Sequence, residues 1–485
     1  MKPMKFVKYI SIVLFFIVSG FSGSDISVNE QIIQLGSKRE IFVDNYLIEK
    51  LDGVNLVMHH PHDEGIVMYF DKHWEGNFSL YTTILKDGDL FRAYYRGVRE
   101  AGNDNKEAET TCYAESKDGI YWKKPVLRLF EANGSLENNI ILANSAPVTH
   151  NFCPFIDTNP DRSPDQKYKA LGGNAKTGLI PFVSSDGIHW KKLLDHGVIT
   201  KGAFDSQNVA FWSESEKLYV CYFRIFTAKR FRSVSRTTSK DFIHWSEPVE
   251  MTYGDTPPEH LYTQQTSPYF RAPHIYIAIG ARFMPKRQVL TDEQAGQLNV
   301  NPGYYKDLSD AFFMTTRGDD VYSRTFMESF IRPGIGLSNW VSRTNYPALN
   351  IVQTAPAEMS VYVNQDYAQP TAHMRRYSMR LDGFTSINAP YSGGSVITRI
   401  FTFSGKELEI NYSTSAAGEI RFELQDADGR PVPGFTFAES QTIIGNEISR
   451  IVSWNGKKDL STLTDKPVRL KIFMKDADLY SLRFK

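Results

Sequence analysis

A short acidic turn recurs at the end of one aromatic-rich hairpin after another, and this repeat constrains the fold more than any other feature of the sequence. Four copies are clear, at residues 116–122, 184–190, 239–245 and 316–322, and a weaker fifth lies at 380–384. Their aspartates are 68, 55, 78 and 63 residues apart. This spacing is too long for a helical solenoid and fits one four-stranded β-blade per repeat. It predicts an all-β fold with a five-bladed β-propeller around a central funnel.

The segments between the acidic turns have the pattern of β-hairpins. Residues 80–85 and 90–95 flank an Asp-Gly turn, which is a strong hairpin signal. Residues 209–212 pair in the same way with 218–223, and residues 267–270 with 275–279. A further strand is predicted over 39–48, and the polar stretch 286–306 is predicted as a long loop with a helical turn at 291–298.

The pattern changes near residue 395, where short alternating strands continue without the acidic turn. Such a run of about 90 residues is typical of a β-sandwich. We therefore predict a signal peptide at 1–24, a propeller and candidate catalytic domain at 25–392, and a jelly-roll-like accessory sandwich at 393–485.

The N-terminal sequence indicates where the protein is located, and the overall charge indicates which classes of partner it can bind. Lys2, Lys5 and Lys8 precede an apolar run and then small residues, which is the order of a secretory signal. The run is short for a membrane span, and no cysteine follows it as a lipid anchor would require. A secreted or periplasmic protein is predicted, without stable membrane insertion; an uncleaved signal anchor is the alternative. With 55 basic and 55 acidic residues, nothing favours a nucleic-acid partner.

The cysteines predict neither disulfides nor a metal site. Cys112, Cys153 and Cys221 lie in apolar, strand-like contexts, so buried free thiols are expected. The tract at residues 59–64 contains three histidines, but a proline interrupts it and a flexible loop before the first blade is the better interpretation. No metal and no cofactor are predicted.

Acidic residues placed just before the innermost strands are the candidate catalytic groups. In a propeller, those strand ends converge on one pocket, and Glu75, Asp205 and Glu259 occupy equivalent places in blades one, three and four. Glycoside hydrolysis needs an acid for the leaving oxygen and a carboxylate that attacks or activates water. Each of the three is alternatively a solvated loop residue. Asp44 is a fourth candidate, with a ring-closing strand as the alternative.

Polar residues near the same strand ends are the candidate substrate contacts. His150, Asn208, His260 and Gln264 are expected to bind sugar hydroxyls. Several arginines flank the presumed inner strands and either recognise an anionic sugar or form ion pairs between blades; they are Arg92, Arg96, Arg224, Arg271 and Arg282. The acidic turns themselves are expected to be structural, which makes His189 and His244 poor ligand candidates.

The Ser-x-Asp-Gly-x-x-Trp blade ends, the N-terminal signal and the C-terminal sandwich resemble the five-bladed propeller glycoside hydrolases of families 32 and 43 and their relatives. The resemblance covers nearly the whole mature chain and implies an exported glycosidase. The invertase-type motifs Asn-Asp-Pro-Asn-Gly, Arg-Asp-Pro and Glu-Cys are absent, so no family's catalytic residues carry over.

Three functions therefore remain open. The leading one is an exported glycoside hydrolase that acts on plant or algal polysaccharide or derived oligosaccharides through carboxylates. The alternatives are a non-catalytic carbohydrate-binding propeller and a polysaccharide lyase. A hydrolase requires two facing carboxyl groups; a lyase would centre on tyrosine, histidine and arginine, and a binding protein would show an aromatic platform alone.

Overall fold

The computed structural model describes residues 32–485, which form a five-bladed β-propeller and a β-sandwich. The predicted signal at 1–24 lies outside the described residues. None of the helices in residues 32–485 is long and apolar enough to cross a membrane.

The first four strands after residue 32 belong to the sandwich and not to the propeller. They are β1 (Ile33–Gly36), β2 (Arg39–Ile41), β3 (Ile48–Asp52) and β4 (Asn55–Met58). Their partners are C-terminal strands, with Arg39 opposite Arg483 and Asn55 opposite Asn388. The predicted propeller domain at 25–392 is therefore wrong at its N-terminal end, because β1 to β4 belong to the sandwich. The predicted strand over 39–48 is likewise interrupted between β2 and β3.

The fifth strand, β5 (His62–Tyr69), is the outermost strand of blade five and closes the ring by pairing with a strand near residue 375. The histidine tract is therefore not a flexible loop. His59 bonds to the Ser386 hydroxyl at 2.9 Å and His60 to the Phe330 carbonyl at 3.0 Å.

The first three blades each have four antiparallel strands. Blade one contains β6 (Leu80–Asp87), β7 (Leu90–Gly97), β8 (Thr110–Ser116) and β9 (Ile140–Leu142). Helix α1 (Val148–Asn151) leads into blade two, with β10 (Cys153–Ile156), β11 (Tyr168–Asn174), β12 (Gly178–Ser184) and β13 (Lys191–Lys192). Blade three contains β14 (Val209–Ser213), β15 (Leu218–Phe226), β16 (Arg232–Ser239) and β17 (Val249–Glu250).

Blades four and five complete the ring. Blade four contains β18 (Thr266–Tyr269), β19 (Ala272–Met284) and β20 (Leu308–Thr316), with helix α2 (Asp292–Gln297) inside the predicted loop. Blade five contains β21 (Tyr346–Pro347), β22 (Val352–Ala355), β23 (Glu358–Gln365), β24 (His373–Arg380) and β5. Short 3₁₀ turns occur at Pro164–Gln166 and Ser461–Leu463. The prediction of five blades is confirmed.

The sandwich has its own apolar core around Trp454, Phe422 and Leu482. Its C-terminal strands are β25 (Thr385–Ala389), β26 (Gly394–Thr398), β27 (Phe401–Phe403), β28 (Leu408–Asp426), β29 (Asn446–Ile451) and β30 (Val468–Phe484). A second apolar cluster, which includes Ile41 and Phe384, packs the N-terminal strands against blades four and five. The two parts are therefore joined by a shared apolar contact.

Three of the acidic turns have one hydrogen-bond pattern. In the second, Ser184 Oγ accepts from the Gly187 amide, and Asp186 Oδ1 accepts from the amides of Ile188 and His189, each at 2.9 Å. The turns at Asp118 and Asp241 repeat these bonds. Each turn follows the third strand of its blade. It therefore lies on the face of the propeller opposite the one where the inner strands begin.

The weak fifth repeat is not such a turn. Asp382 is fully buried and accepts hydrogen bonds from the hydroxyls of Tyr269 at 2.8 Å and Ser481 at 2.6 Å. It lies near Arg39 and Arg271 where the propeller meets the sandwich. Asp44 lies at the same junction and pairs with Arg317 at 3.0 Å.

A layer of polar side chains closes the central channel of the propeller, just below the face where the inner strands begin. Gln207 Nε2 donates to Thr83 Oγ1 at 2.7 Å and lies 3.6 Å from Cys153 Sγ. Gln265 Nε2 donates to Gln207 Oε1 at 2.7 Å, and Thr82 Oγ1 donates to Asn364 Oδ1 at 2.9 Å. Every blade contributes at least one member. On the opposite side a largely apolar cavity of about 380 Å³ opens to solvent.

All three cysteines are buried and unpaired, as predicted. Burial raises the pKa of the Cys153 thiol to about 11, which makes this thiol inert at neutral pH.

The hydrogen bonds of the acidic turns give a stability prediction. Replacing Asp186 by alanine leaves two backbone amides without their acceptor and should lower the free energy of unfolding by about 1 kcal/mol. Urea titration measures this, with Asp195→Ala as the control because Asp195 is exposed and makes only a surface pair with Lys192. An equal effect of the two substitutions would contradict the role assigned to the turn.

Candidate active site

A small pocket lies on the propeller axis at the end where the inner strands begin. Its volume is about 90 Å³, and side chains from all five blades line it. Tyr81, Arg96 and Asp104 come from blade one, His150 from α1, Asp205 from the segment before β14, Tyr262 from the segment before β18, and Arg343 and Tyr367 from blade five. The polar layer at Thr82 and Thr83 forms its floor, because these residues follow Tyr81 directly in β6.

Local backbone geometry turns Tyr81 toward the axis. The pairing of β6 with β7 shifts register between Leu80 and Thr83, and Tyr81 has a φ of 57°, which bulky residues rarely adopt. Its hydroxyl donates to the Asp205 carbonyl at 3.3 Å, and the Arg96 guanidinium lies 4.9 Å from the centre of its ring. Strained residues of this kind cluster at functional sites.

His150 belongs to a buried charged group on the pocket wall. Its Nδ1 lies 2.8 Å from Glu109 Oε1 and 3.3 Å from Arg96 Nη1. Burial lowers the pKa of His150, and Arg96 lowers it further, against the opposing effect of Glu109. The imidazole is therefore neutral at neutral pH, and it can exchange a proton or a hydrogen bond with a ligand.

Asp104, Glu109 and His150 could together ligate a cation, since their ligand atoms lie within 4.8 Å of one another. The Arg96 guanidinium lies among them, 3.8 Å from Asp104. It already supplies the positive charge that this group of carboxylates requires, and it would repel a metal ion.

Asp205 is the only one of the three predicted catalytic acids that lines this pocket. Its carboxylate contacts Arg224, whose side chain is buried. Asp205 therefore presents an anionic oxygen from blade three, while Asp104 presents one from the loop of blade one.

The prediction that Glu75 and Glu259 converge with Asp205 is corrected, because both are neutralised by ion pairs elsewhere. Glu75 is fully buried and accepts from Lys124 Nζ at 2.7 Å and the Tyr95 hydroxyl at 2.6 Å. Glu259 contacts Arg324 and lies 2.9 Å from Arg282, on the wall of a separate cleft of about 180 Å³.

Of the predicted substrate contacts, the structure brings His150 to the pocket and uses the others in the fold. Asn208 and Gln264 are buried and bond to backbone groups. His260 Nδ1 accepts from the Arg232 amide at 3.3 Å. Arg271 lies 3.5 Å from Asp382 at the junction with the sandwich.

The flanking arginines do not form the predicted ion pairs between blades, because Arg92 and Arg282 pair within their own blades. Recognition of an anionic sugar stays a prediction. Arg96 and Arg224 lie at the pocket, as described above. Arg92 pairs with Asp87 and Arg282 with Asp310.

The sequence interpretation missed Tyr81, Tyr262 and Arg343. Two of these residues could have been predicted from their position in the chain. Tyr262 and Arg343 lie in or beside the segments that precede the inner strands of blades four and five. The two phenols differ. Burial raises the pKa of Tyr81, whereas at Tyr262 the effect of burial is outweighed by nearby arginines, which lower its pKa; they are Arg343, Arg224, Arg232 and Arg96.

Solved structures similar to this chain include several carbohydrate-active proteins. A structure described as a glycoside hydrolase matches with a TM-score of 0.42 and 11% identity over 66% of this chain and 92% of its own. An N-acetylgalactosamine deacetylase from F. plautii matches with 0.44 and 11% over 68% and 97%. A Bombyx mori family 32 β-fructofuranosidase matches with 0.40 and 11% over 91% and 95%.

These low TM-scores and identities carry no activity over to this chain. No family model matches the sequence, and no curated protein matches it.

The reassignment of Glu259 gives a prediction. Replacing Glu259 by glutamine leaves the buried Arg324 without its carboxylate and should cost about 3 kcal/mol of unfolding free energy. It should not change turnover per folded molecule, because Glu259 lies outside the axial pocket. Urea unfolding and specific activity test this, with Glu250→Gln, an exposed glutamate of the neighbouring β17, as the control. A large loss of turnover with unchanged stability would contradict the structural role.

Proposed function

We propose that the protein is an exported glycoside hydrolase whose reaction takes place in the axial pocket. One observation carries the proposal: side chains from all five blades place polar and charged groups in one pocket. Burying charged groups costs free energy unless they are paired, and such clusters of titratable groups mark functional sites. The fold needs no such cluster here, since the polar layer below already closes the axis.

Hydrolysis needs two groups that the pocket offers. Asp205, beside Arg224, is suited to attack the anomeric carbon or to take a proton from water. Asp104 lines the pocket from blade one, which is not adjacent to blade three, and the neutral phenol of Tyr81 is suited to protonate the leaving glycosidic oxygen. His150, Tyr81 and Tyr367 line the same space and can bind sugar hydroxyls.

The size of the pocket indicates the part of the substrate that enters it. At about 90 Å³ it is smaller than the roughly 300–1,000 Å³ of sites that enclose drug-sized ligands. A single terminal sugar suits it better than a stretch of polysaccharide. The signal-like N-terminus supports export, and we propose a plant or algal oligosaccharide as the substrate.

A second reaction, β-elimination by a polysaccharide lyase, is favoured by one specific observation. The pocket centres on tyrosine, histidine and arginine, and the lowered pKa of Tyr262 suits a base. Its phenolate would take the proton from C5 of a uronate, the C4–O bond would break, a C4=C5 double bond would form, and the leaving oxygen would be protonated by the neutral Tyr81.

The proposed function predicts loss of turnover when the pocket carboxylate is neutralised. On a saccharide found by screening plant and algal oligosaccharides, Asp205→Asn should lower kcat by roughly two to four orders of magnitude, as removal of a positioned acid or base does. Asp195→Asn, on an exposed loop of blade two, is the control and should keep full activity.

The reaction products distinguish hydrolysis from β-elimination. Hydrolysis incorporates oxygen from labelled water and gives saturated sugars, whereas elimination gives an unsaturated uronate that absorbs ultraviolet light. Saccharide binding without turnover would reject both reactions and favour the carbohydrate-binding alternative. Full activity of Asp205→Asn would reject the residue assignment.

A further inference from the structure

One arginine of the axial pocket has no carboxylate partner. Within residues 32–485, Arg343 has no carboxylate oxygen within 4.0 Å, whereas Arg224 contacts Asp205. Arg232 also lacks a carboxylate partner, but it lies on the wall of the separate cleft beside Glu259. Comparable half-buried arginines elsewhere in the propeller, such as Arg236 and Arg282, each contact a carboxylate. The pocket therefore contains one guanidinium group, that of Arg343, which the fold leaves without a carboxylate partner.

The guanidinium groups are arranged around one ring. The Cζ atoms of Arg224 and Arg232 lie 5.3 Å and 5.0 Å from the centre of the Tyr262 ring. Arg343 lines the same pocket, and Arg96 lies on its far wall. The guanidinium groups of Arg96, Arg224 and Arg343 thus lie at the pocket with the carboxylates of Asp104, Asp205 and Glu109. Arg96 and Arg224 each have a carboxylate oxygen within 4.0 Å, and Arg343 has none.

Like charges held this close repel one another, and burial adds a desolvation cost. Contact with aromatic faces offsets part of that cost. A bound anion would offset the remaining positive charge and accept hydrogen bonds from the guanidinium groups.

We infer that the axial pocket binds a saccharide through an anionic group on the sugar, and that Arg224 and Arg343 hold this group beside the ring of Tyr262. The inference rests on the proposed function in taking the ligand to be a saccharide. A uronate carboxylate and a sulfate ester offer the same chemistry, namely oxygen atoms that accept paired hydrogen bonds from a planar guanidinium.

The inference is tested by calorimetric titration of the full chain with monosaccharides, which needs no turnover. The probes are galacturonate and glucuronate for the carboxylate, galactose 6-sulfate for the sulfate, and galactose and glucose as neutral parents. At least one anionic sugar should bind tenfold or more tightly than its neutral parent. Whichever anionic sugar binds identifies the group.

Arginine variants locate the contact. Arg343→Gln should weaken binding of the anionic sugar at least tenfold, the usual worth of a charge-assisted hydrogen bond, and should leave the weak binding of the neutral parent unchanged. Arg430→Gln, on an exposed turn of the sandwich, is the matched control and should bind as the wild type does.

If Arg343→Gln does not fold, the inference is tested on the wild-type protein by titration of its tyrosines. An anion bound beside Tyr262 raises the pKa of its phenol, so in an ultraviolet titration the first tyrosine ionisation step should move to higher pH with the anionic sugar and not with its neutral parent. Tyr262→Phe should abolish that step. No shift would overturn the inference.

The outcomes separate this inference from the proposed function. Neutral sugars that bind as tightly as anionic ones, or no binding of any of these sugars, would overturn the inference even if the protein hydrolyses a neutral oligosaccharide. Tight binding of a uronate or sulfated sugar that depends on Arg343 would support it even if no saccharide is cleaved.

Discussion

The buried hydrogen-bond layer across the propeller axis is the constraint on which the rest of the structure depends. Five sheets packed side by side leave a channel, and here Gln207, Gln265, Thr83, Cys153 and Asn364 fill it, one from each blade. A buried amide without partners would cost about 1–3 kcal/mol, so the layer is favourable only when all five blades are in register. It divides the channel into a polar pocket above and an apolar cavity below.

The electrostatics of the propeller follow from this division. Away from the axis, buried charges are paired and serve the fold, as Glu75 with Lys124 and Glu259 with Arg324 show. At the axis, the floor excludes solvent from below, and the charges of the pocket wall act on a small volume of low dielectric constant. In this pocket burial raises the pKa of Tyr81, whereas at Tyr262 the nearby arginines outweigh the effect of burial and lower the pKa.

Much of the architecture could be predicted from the sequence because it is encoded locally. The acidic turns depend on hydrogen bonds within five residues, so Asp118, Asp186 and Asp241 could be recognised from spacing alone. The N-terminal strands could not be placed, because their partners, such as Arg483 for Arg39, lie more than 300 residues away.

The pocket was only partly predictable. Asp205 and His150 were found because their segments precede inner strands. The orientation of individual side chains in those segments depends on irregular backbone, such as the φ of 57° at both Tyr81 and Arg343, which no pattern in the sequence indicates. Glu75 and Glu259 have the right position in the chain, but long-range partners, Lys124 and Arg324, turn them away from the axis.

A crystal structure of Asp205→Asn soaked with an acidic oligosaccharide tests the central claim most directly, because it shows where the sugar lies without requiring turnover. The account predicts a terminal sugar in the axial pocket, above Thr82 and Thr83, with its anionic group within hydrogen-bond distance of Arg343 and Arg224. A sugar bound instead in the cleft beside Glu259 or on the sandwich, with the axial pocket empty, would contradict it.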